Sequence, residues 1–199
     1  MGRSGATRGE ELRAEVAALV DHTLLKPEAT ELMSSPWSRK PPNWACWRCA
    51  CPPSMVSTAN SARAQRTNLA IAAVAGFPSG KHLPDIKARE AAAAVDDGAS
   101  EIDMVIDVGG AALAGNFADV AADIATVRAA VPGAVLKVIV ESAALLSLAD
   151  EDTLIAVCRA AEESGADFVK TSTGFHPAGG ASVVAIELMA STVGGRLGV

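Results

Sequence analysis

The stretch GADFVKTSTGFHPAGG, residues 165–180, carries a single lysine out of a short apolar segment into a loop of small residues and glycines. Lys170 lies among Phe168, Val169 and Thr171, where burying an ammonium group is costly. Burial would therefore lower the pKa of Lys170 toward that of a nucleophilic amine. This pattern predicts a lysine that forms a Schiff base with a carbonyl substrate.

Apolar runs resembling the one before Lys170 recur at intervals of roughly 30 residues, the length of a strand plus a crossover helix. The runs are Leu69–Phe77, Ile102–Val108, Val135–Val140 and Phe168–Val169. The intervening segments, like residues 10–20, have apolar residues at helical spacing; they are 84–98, 116–133 and 148–165. Candidate helix N-caps are Asn116, Asp150 and Asp152. Repeated strand and helix units predict a parallel sheet, either doubly wound or closed as a barrel. No GxGxxG fingerprint follows the first strand, which disfavours dinucleotide binding.

Side-chain alternation along the predicted strands separates an apolar face from a charged one. In EIDMVID, Ile102, Met104 and Ile106 lie opposite Glu101, Asp103, Val105 and Asp107. The face covered by helices should be apolar, so Asp103, Lys137 and Lys170 should point into the interior of the sheet. Three charges that converge there indicate a site.

Each of the three inward charges can be given a chemical role. Lys170 ends its strand, where sites of parallel sheets are built, and is the predicted nucleophile. Lys137 can lower the pKa of Lys170 by like-charge proximity, and Asp103 can donate and accept protons. The plainer alternative is that Asp103 and Lys137 form only a buried ion pair.

Composition limits the classes of protein that need to be considered. The 199 residues, half of them apolar and with a net charge of −6, predict one domain spanning 1–199 without a nucleic-acid surface. The longest apolar run is well short of the roughly 20 residues that cross a membrane, and MGRSGATRGEELRAE has no targeting pattern, so we expect a cytoplasmic protein. A small anionic substrate would need local donors such as the N–H groups of a Gly-rich turn.

The cysteines give little support to a metal site. Three of the four fall in CWRCAC, with a fourth at Cys158, but no second ligand pair lies at zinc-finger spacing. The histidines His22, His82 and His176 are scattered. We expect neither a bound metal nor a disulfide.

Residues 32–53 differ in character from the rest of the chain. They hold all three tryptophans, five prolines and three of the four cysteines, with no helical or strand period. If one base were restored in the gene after the codon of Glu31 and one were removed near the codon of Pro52, the segment would encode ADVVALVAEAAELGVLAVCVSP. The restored sequence has the pattern of an amphipathic helix that ends at a glycine and is followed by a strand. We therefore interpret 32–53 as an aberrant segment produced by a frame error, which re-sequencing of the gene would reveal as one missing and one extra base.

Five stretches, spread over residues 16–199, resemble deoxyribose-phosphate aldolases, class I aldolases with a (β/α)8 TIM barrel. The stretches are VDHTLLKPEAT, AVAGFPSGKH, GASEIDMVIDVG, LKVIVES and GADFVKTSTGF. The resemblance implies reversible cleavage of 2-deoxy-D-ribose 5-phosphate to D-glyceraldehyde 3-phosphate and acetaldehyde, with no cofactor. It places the Schiff base on Lys170, the proton relay on Asp103 and part of a phosphate-binding loop at Gly174. Thr171, Ser172 and Asp21 are further candidates for substrate binding.

The resemblance also implies elements beyond those that can be read in this chain. The family has a seventh strand with a second catalytic lysine, a Gly-Gly phosphate turn and an eighth strand. We count six strand positions, with GRLGV at 195–199 lying where the seventh would begin, and expect a barrel truncated before that strand. Two alternatives follow: a catalytically silent fragment of such an enzyme, or another Schiff-base barrel aldolase of transaldolase type. Assembly into a homo-oligomer stays open.

Overall fold

Six parallel strands form a single sheet in the computed structural model, which describes residues 8–34, 48–63 and 69–199. The strands are β1 (Asp21–Thr23), β2 (Arg48–Cys51), β3 (Ala70–Ala75), β4 (Glu101–Val105), β5 (Val135–Ile139) and β6 (Phe168–Lys170). Each strand pairs with its neighbour in sequence, in the order β1 to β6. A doubly wound sheet reverses its strand order, so this order excludes that alternative. The architecture is a curled, incomplete (β/α)8 barrel, as predicted.

Helices separate most of the strands. They are α1 (Arg8–Leu19), α2 (Val56–Arg63), α3 (Pro84–Asp96), α4 (Phe117–Ala130), α5 (Ser142–Leu148), α6 (Glu151–Glu163) and α7 (Val183–Val193). Asp150 caps α6 by accepting the Thr153 N–H at 2.8 Å, whereas Asp152 lies inside the helix. Asn116 occupies the N-cap of α4, but its amide binds the Asp119 carboxylate instead of a backbone N–H. Within 8–34, 48–63 and 69–199, no helix is both long and apolar enough to cross a bilayer.

The predicted alternation of side chains is confirmed along β4 and β5. Ile102, Met104, Leu136 and Val138 are fully buried in the layer between sheet and helices. Val120, Ile124 and Val127 of α4 belong to the same hydrophobic cluster. The charged residues of these strands lie on the opposite face, in the barrel interior, because the strand face under the helices is formed by apolar side chains.

A strand forms in the last part of residues 32–53, although their sequence shows no strand period. Arg48–Cys51 forms β2, with Arg48 aligned to Asp21 on one side and to Ala70 on the other. Parallel pairing with β1 and β3 satisfies the backbone N–H and C=O groups of β2, whatever side chains the strand carries. The small side chains of Cys49 and Cys51 fit the buried outer face of the sheet. Residues 35–47 lie outside the described part of the chain, and the frame error stays a prediction.

A further pairing lies next to β6. The Gly198 N–H donates to the Asp167 carbonyl at 3.0 Å, and the Gly198 carbonyl accepts the Val169 N–H at 3.0 Å. Gly198 thereby forms a parallel bridge with Phe168. The bridge lies where the sequence places the next strand of the barrel.

One charged pair is buried in the helical layer. The Lys87 ammonium of α3 lies 2.6 Å from the Asp123 carboxylate of α4 and donates to the Val105 carbonyl at 2.8 Å. Burial raises the pKa of Asp123, although Lys87 opposes that shift. The pair joins two helices to the end of β4.

We predict that Asp123→Ala destabilises the fold by about 3–5 kcal/mol, because it leaves the Lys87 ammonium buried without its counter-charge. Chemical denaturation with urea measures the loss. Glu162→Ala, which breaks an exposed pair with Arg196, is the control and should change stability little. Equal losses in the two variants would contradict the prediction.

Candidate active site

Adjacent strands bring the three predicted charges together. Asp103 of β4 is the register partner of Lys137 of β5, and Ile139 of β5 is the partner of Lys170 of β6. Side chains on one face of a strand alternate with a period of two. Lys170 therefore lies one side-chain layer nearer the carboxyl ends of the strands than Lys137.

Lys170 is the more accessible of the two lysines. Its Nζ lies 2.5 Å from Asp103 Oδ2 and 3.4 Å from Asp21 Oδ2. Its side chain is 33% exposed, so the lysine is less deeply buried than the sequence suggested. A partly open amine at the end of a strand can be reached by a small carbonyl compound.

Lys137 occupies the centre of the ion network. Its Nζ lies 2.7 Å from Glu101 Oε2, 3.2 Å from Asp103 Oδ1 and 3.2 Å from Asp21 Oδ2. Burial alone would lower the pKa of Lys137, but Asp103, Glu101 and Asp21 outweigh it and raise that pKa above its ordinary value. Lys137 is therefore a fixed cation at neutral pH.

Asp21 connects the two lysines from the far side of the curled sheet. Burial by itself raises the pKa of the Asp21 carboxyl, but Lys137 and then Lys170 lower it by more, so the net shift is downward. The carboxylate is engaged with both ammonium groups instead of standing open. Its sequence-based assignment to substrate binding stays a prediction.

Sequence reasoning missed two members of the network. Glu101 was placed on the charged face of β4 but given no role, and Arg48 fell in the segment interpreted as aberrant. Arg48 Nε lies 2.9 Å from Glu101 Oε1, and its guanidinium also donates to the Ala18 carbonyl at 3.4 Å. Alternation along RCAC was the only available signal for Arg48, since it sets Arg48 and Ala50 opposite the two cysteines.

The loop after Lys170 is attached to the end of β5 through its backbone. Val140 N–H donates to the Lys170 carbonyl at 3.0 Å, and Ser142 N–H donates to the Thr171 carbonyl at 2.7 Å. Gly174 has a φ of +80°, which favours glycine, and a Cβ placed there would meet no atom within 4 Å. The loop therefore leaves open space beside Gly174.

A cavity of about 470 Å³ gives access to the network. Its lining includes Asp21, Arg48, Glu101, Lys137 and Lys170. In the regions that the structure describes, no group of three or more His, Cys, Asp or Glu side chains could hold a metal ion. The charged residues are instead arranged as lysine–carboxylate contacts.

The three cysteines that the structure describes do not contribute nucleophiles to this site. Cys49, Cys51 and Cys158 are buried, and Cys46 lies outside the described residues. Burial raises the pKa of Cys51 and Cys158 to about 12, so both thiols are protonated at neutral pH. Cys49 and Cys51 belong to the hydrophobic cluster under the helices.

An incomplete parallel α/β barrel in which an accessible lysine at the end of a strand contacts an inward carboxylate has the architecture of a class I aldolase. The DeoC/LacD family aldolase profile matches residues 49–193. The chain belongs to this aldolase family.

Similar proteins agree with this assignment. Deoxyribose-phosphate aldolase of Mycobacterium avium (strain 104) is 63% identical over 187 residues, covering 94% of this chain and 82% of that protein. A crystal structure of a putative deoxyribose-phosphate aldolase from Coccidioides immitis has a TM-score of 0.79 and 34% identity, covering 90% of this chain and 68% of that one. The deoxyribose phosphate aldolase from Aeropyrum pernix, described as having a unique tetrameric structure, has a TM-score of 0.76 and 26% identity, covering 94% and 78%.

We predict that Lys137→Met raises the pKa of the Asp21 carboxyl, because the burial that opposes ionisation then loses its main offsetting charge. Carboxyl-detected NMR titration measures the shift. Lys170→Met should raise the same pKa less, and the exposed Lys26→Met should leave it unchanged.

In the unaltered chain Asp21 contributes stability that is present above its ordinary pKa of 3.8 and is lost as pH falls through its lowered folded value. That contribution should shrink in Lys137→Met. An Asp21 titration that is the same with and without Lys137 would refute the account.

Proposed function

We propose that this chain is a deoxyribose-phosphate aldolase that cleaves 2-deoxy-D-ribose 5-phosphate to D-glyceraldehyde 3-phosphate and acetaldehyde through a Schiff base on Lys170. The observation that carries the proposal is the 2.5 Å contact between Lys170 Nζ and Asp103 Oδ2. The other oxygen of the same carboxylate contacts the Lys137 ammonium. The family membership and the relatives named above support the choice of substrate.

The reaction begins with the neutral amine of Lys170 attacking the C1 aldehyde of the open-chain sugar. The resulting carbinolamine takes up a proton on its hydroxyl group, loses water and gives an iminium ion. A base then takes the proton of the C3 hydroxyl, the C2–C3 bond breaks, and its electron pair moves into the enamine. D-Glyceraldehyde 3-phosphate leaves, C2 of the enamine is protonated, and water releases acetaldehyde and the free amine.

Asp103 is the proposed proton donor and acceptor. Its Oδ2 contacts Lys170, so it is within reach of protons on the amine and the carbinolamine. Neutral Lys170 is required for attack, and transfer of a proton from the ammonium to Asp103 or to water supplies it. The buried position of Asp103, 1% exposed, keeps this carboxyl next to the reacting atoms.

Lys137 is the proposed supporting residue. It stays charged because three carboxylates surround it, and a fixed cation near Lys170 disfavours a second ammonium group. The carboxylates of Asp21 and Asp103 act in the opposite direction, since they contact both lysines.

We further propose that the loop after Lys170 binds the phosphate end of the sugar. Thr171 and Ser172 offer hydroxyl groups, and Gly174 allows the backbone to approach an anion closely. The net charge of −6 makes such local donors necessary.

The Aeropyrum pernix structure is described as tetrameric, which supports a homo-oligomer for this chain. A cytoplasmic location stays a prediction.

Borohydride reduction in the presence of acetaldehyde should attach an ethyl group to Lys170, because the imine is trapped as a stable secondary amine. Peptide mass spectrometry locates the label. Lys170→Met should give no label, while the exposed Lys26→Met should be labelled at Lys170 like the unaltered chain.

The same assay separates the competing functions. Labelling that persists in Lys170→Met, or that lies on Lys137, would rule out the assigned nucleophile. A chain that traps ketone donors but not acetaldehyde would be a different Schiff-base aldolase. A chain that traps neither would be the catalytically silent fragment.

A further inference from the structure

Glu141, two residues beyond the end of β5, has an unusual backbone conformation. Within residues 8–34, 48–63 and 69–199, it is the one residue other than glycine with a positive φ, at +54° with ψ at +53°. A side chain in this left-handed region is strained. The residue is also only 2% exposed, so its carboxylate is buried. Strain and burial of charge at one position require a compensating interaction.

Thr173 provides that interaction. Its N–H donates to Glu141 Oε1 at 3.1 Å and to Oε2 at 3.4 Å, and its hydroxyl donates to Oε2 at 2.7 Å. The Thr173 Oγ1 in turn accepts the Phe175 N–H at 3.1 Å. One buried carboxylate thus anchors the loop from Thr173 to Phe175.

The anchor continues the attachment of this loop to the end of β5. The backbone hydrogen bonds described above hold Lys170 and Thr171, and Glu141 holds Thr173, two residues further along. Beyond it, the Phe175 ring packs edge to face against Phe77, which follows β3, with centroids 5.2 Å apart and planes at 83°. The loop therefore connects regions that are three strands apart.

The anchored loop also forms one wall of a second cavity, of about 380 Å³, at the carboxyl ends of the strands. Its lining includes Ser79, Lys81, Glu141, Thr173, Phe175 and His176. Displacing Thr173 would reshape this wall and the open space beside Gly174 together. Because the Glu141 carboxylate is bonded to Thr173, its effect on a bound substrate is exerted through the position of the loop.

We propose that Glu141 is a positioning residue for residues 171–175, holding that loop in the conformation that receives the phosphorylated end of the substrate; this rests on the function proposed above. The carboxylate does not contact the reacting carbonyl, and Lys170 can form an imine without it. Glu141 therefore controls affinity for the phosphate and not the Schiff-base chemistry.

Three variants separate the carboxylate from the backbone strain. Glu141→Gly removes the carboxylate but is well suited to the positive φ. Glu141→Gln keeps the length and one acceptor oxygen. Glu163→Gln, an exposed glutamate at the end of α6, is the matched control. Steady-state kinetics compare 2-deoxyribose 5-phosphate with 2-deoxyribose, and borohydride with acetaldehyde measures imine formation.

We expect Glu141→Gly to raise KM for 2-deoxyribose 5-phosphate about ten- to a hundredfold, the effect of losing hydrogen bonds to a charged group. The kcat/KM for 2-deoxyribose and the trapping of acetaldehyde should be unchanged. Glu141→Gln should show a smaller rise in KM, and Glu163→Gln none. If Glu141→Gly does not fold, Thr173→Val removes the hydroxyl at nearly constant volume and should raise KM in the same selective way.

Two results would overturn the proposal. An unaltered KM in Glu141→Gly and in Thr173→Val would show that the carboxylate does not hold the loop for substrate. An equal loss on both substrates would show a general structural role. Failure of the unaltered chain to trap acetaldehyde would instead refute the aldolase function itself, so the two failures are distinguishable.

Discussion

Three carboxylates from two strands meet one buried ammonium group, and the site depends on that meeting. Lys137 Nζ contacts Asp21 from β1 and both Glu101 and Asp103 from β4. Buried carboxylates this close would repel one another without a cation between them. Because Asp21 and Asp103 are also the two contacts of Lys170, the position of the proposed nucleophile depends on the cation at 137. The apolar outer face of the same strands leaves the charged residues no other place than the interior.

Much of this arrangement follows from alternation along the chain. The period of two in EIDMVID and LKVIV separates Asp103 and Lys137 from the buried Ile102, Met104, Leu136 and Val138, and parallel pairing makes Asp103 and Lys137 register partners. The same reasoning placed Lys170 on the inner face at the end of β6. These features are local, so a sequence pattern is sufficient to predict them.

Other features depend on contacts between distant parts of the chain. The Asp21–Lys137 contact joins residues 116 positions apart and arises only because the sheet curls until β1 faces β5. Arg48 was hidden in a segment with no visible period, since a four-residue strand between two partners needs only backbone pairing. The left-handed φ of Glu141 is compensated by hydrogen bonds to Thr173, 32 residues further along the chain. Local propensity contains no information on such pairings.

The central claim is that Lys170 forms the imine while Lys137 remains a fixed cation. Side-chain NMR of the chain carrying labelled lysine Cε carbons, titrated with acetaldehyde from neutral pH to about pH 10, tests it directly. The account predicts that only the Lys170 resonance moves to an imine position and that Lys137 shows no deprotonation over this range. An imine at Lys137, or a Lys137 that loses its proton near neutral pH, would contradict the account.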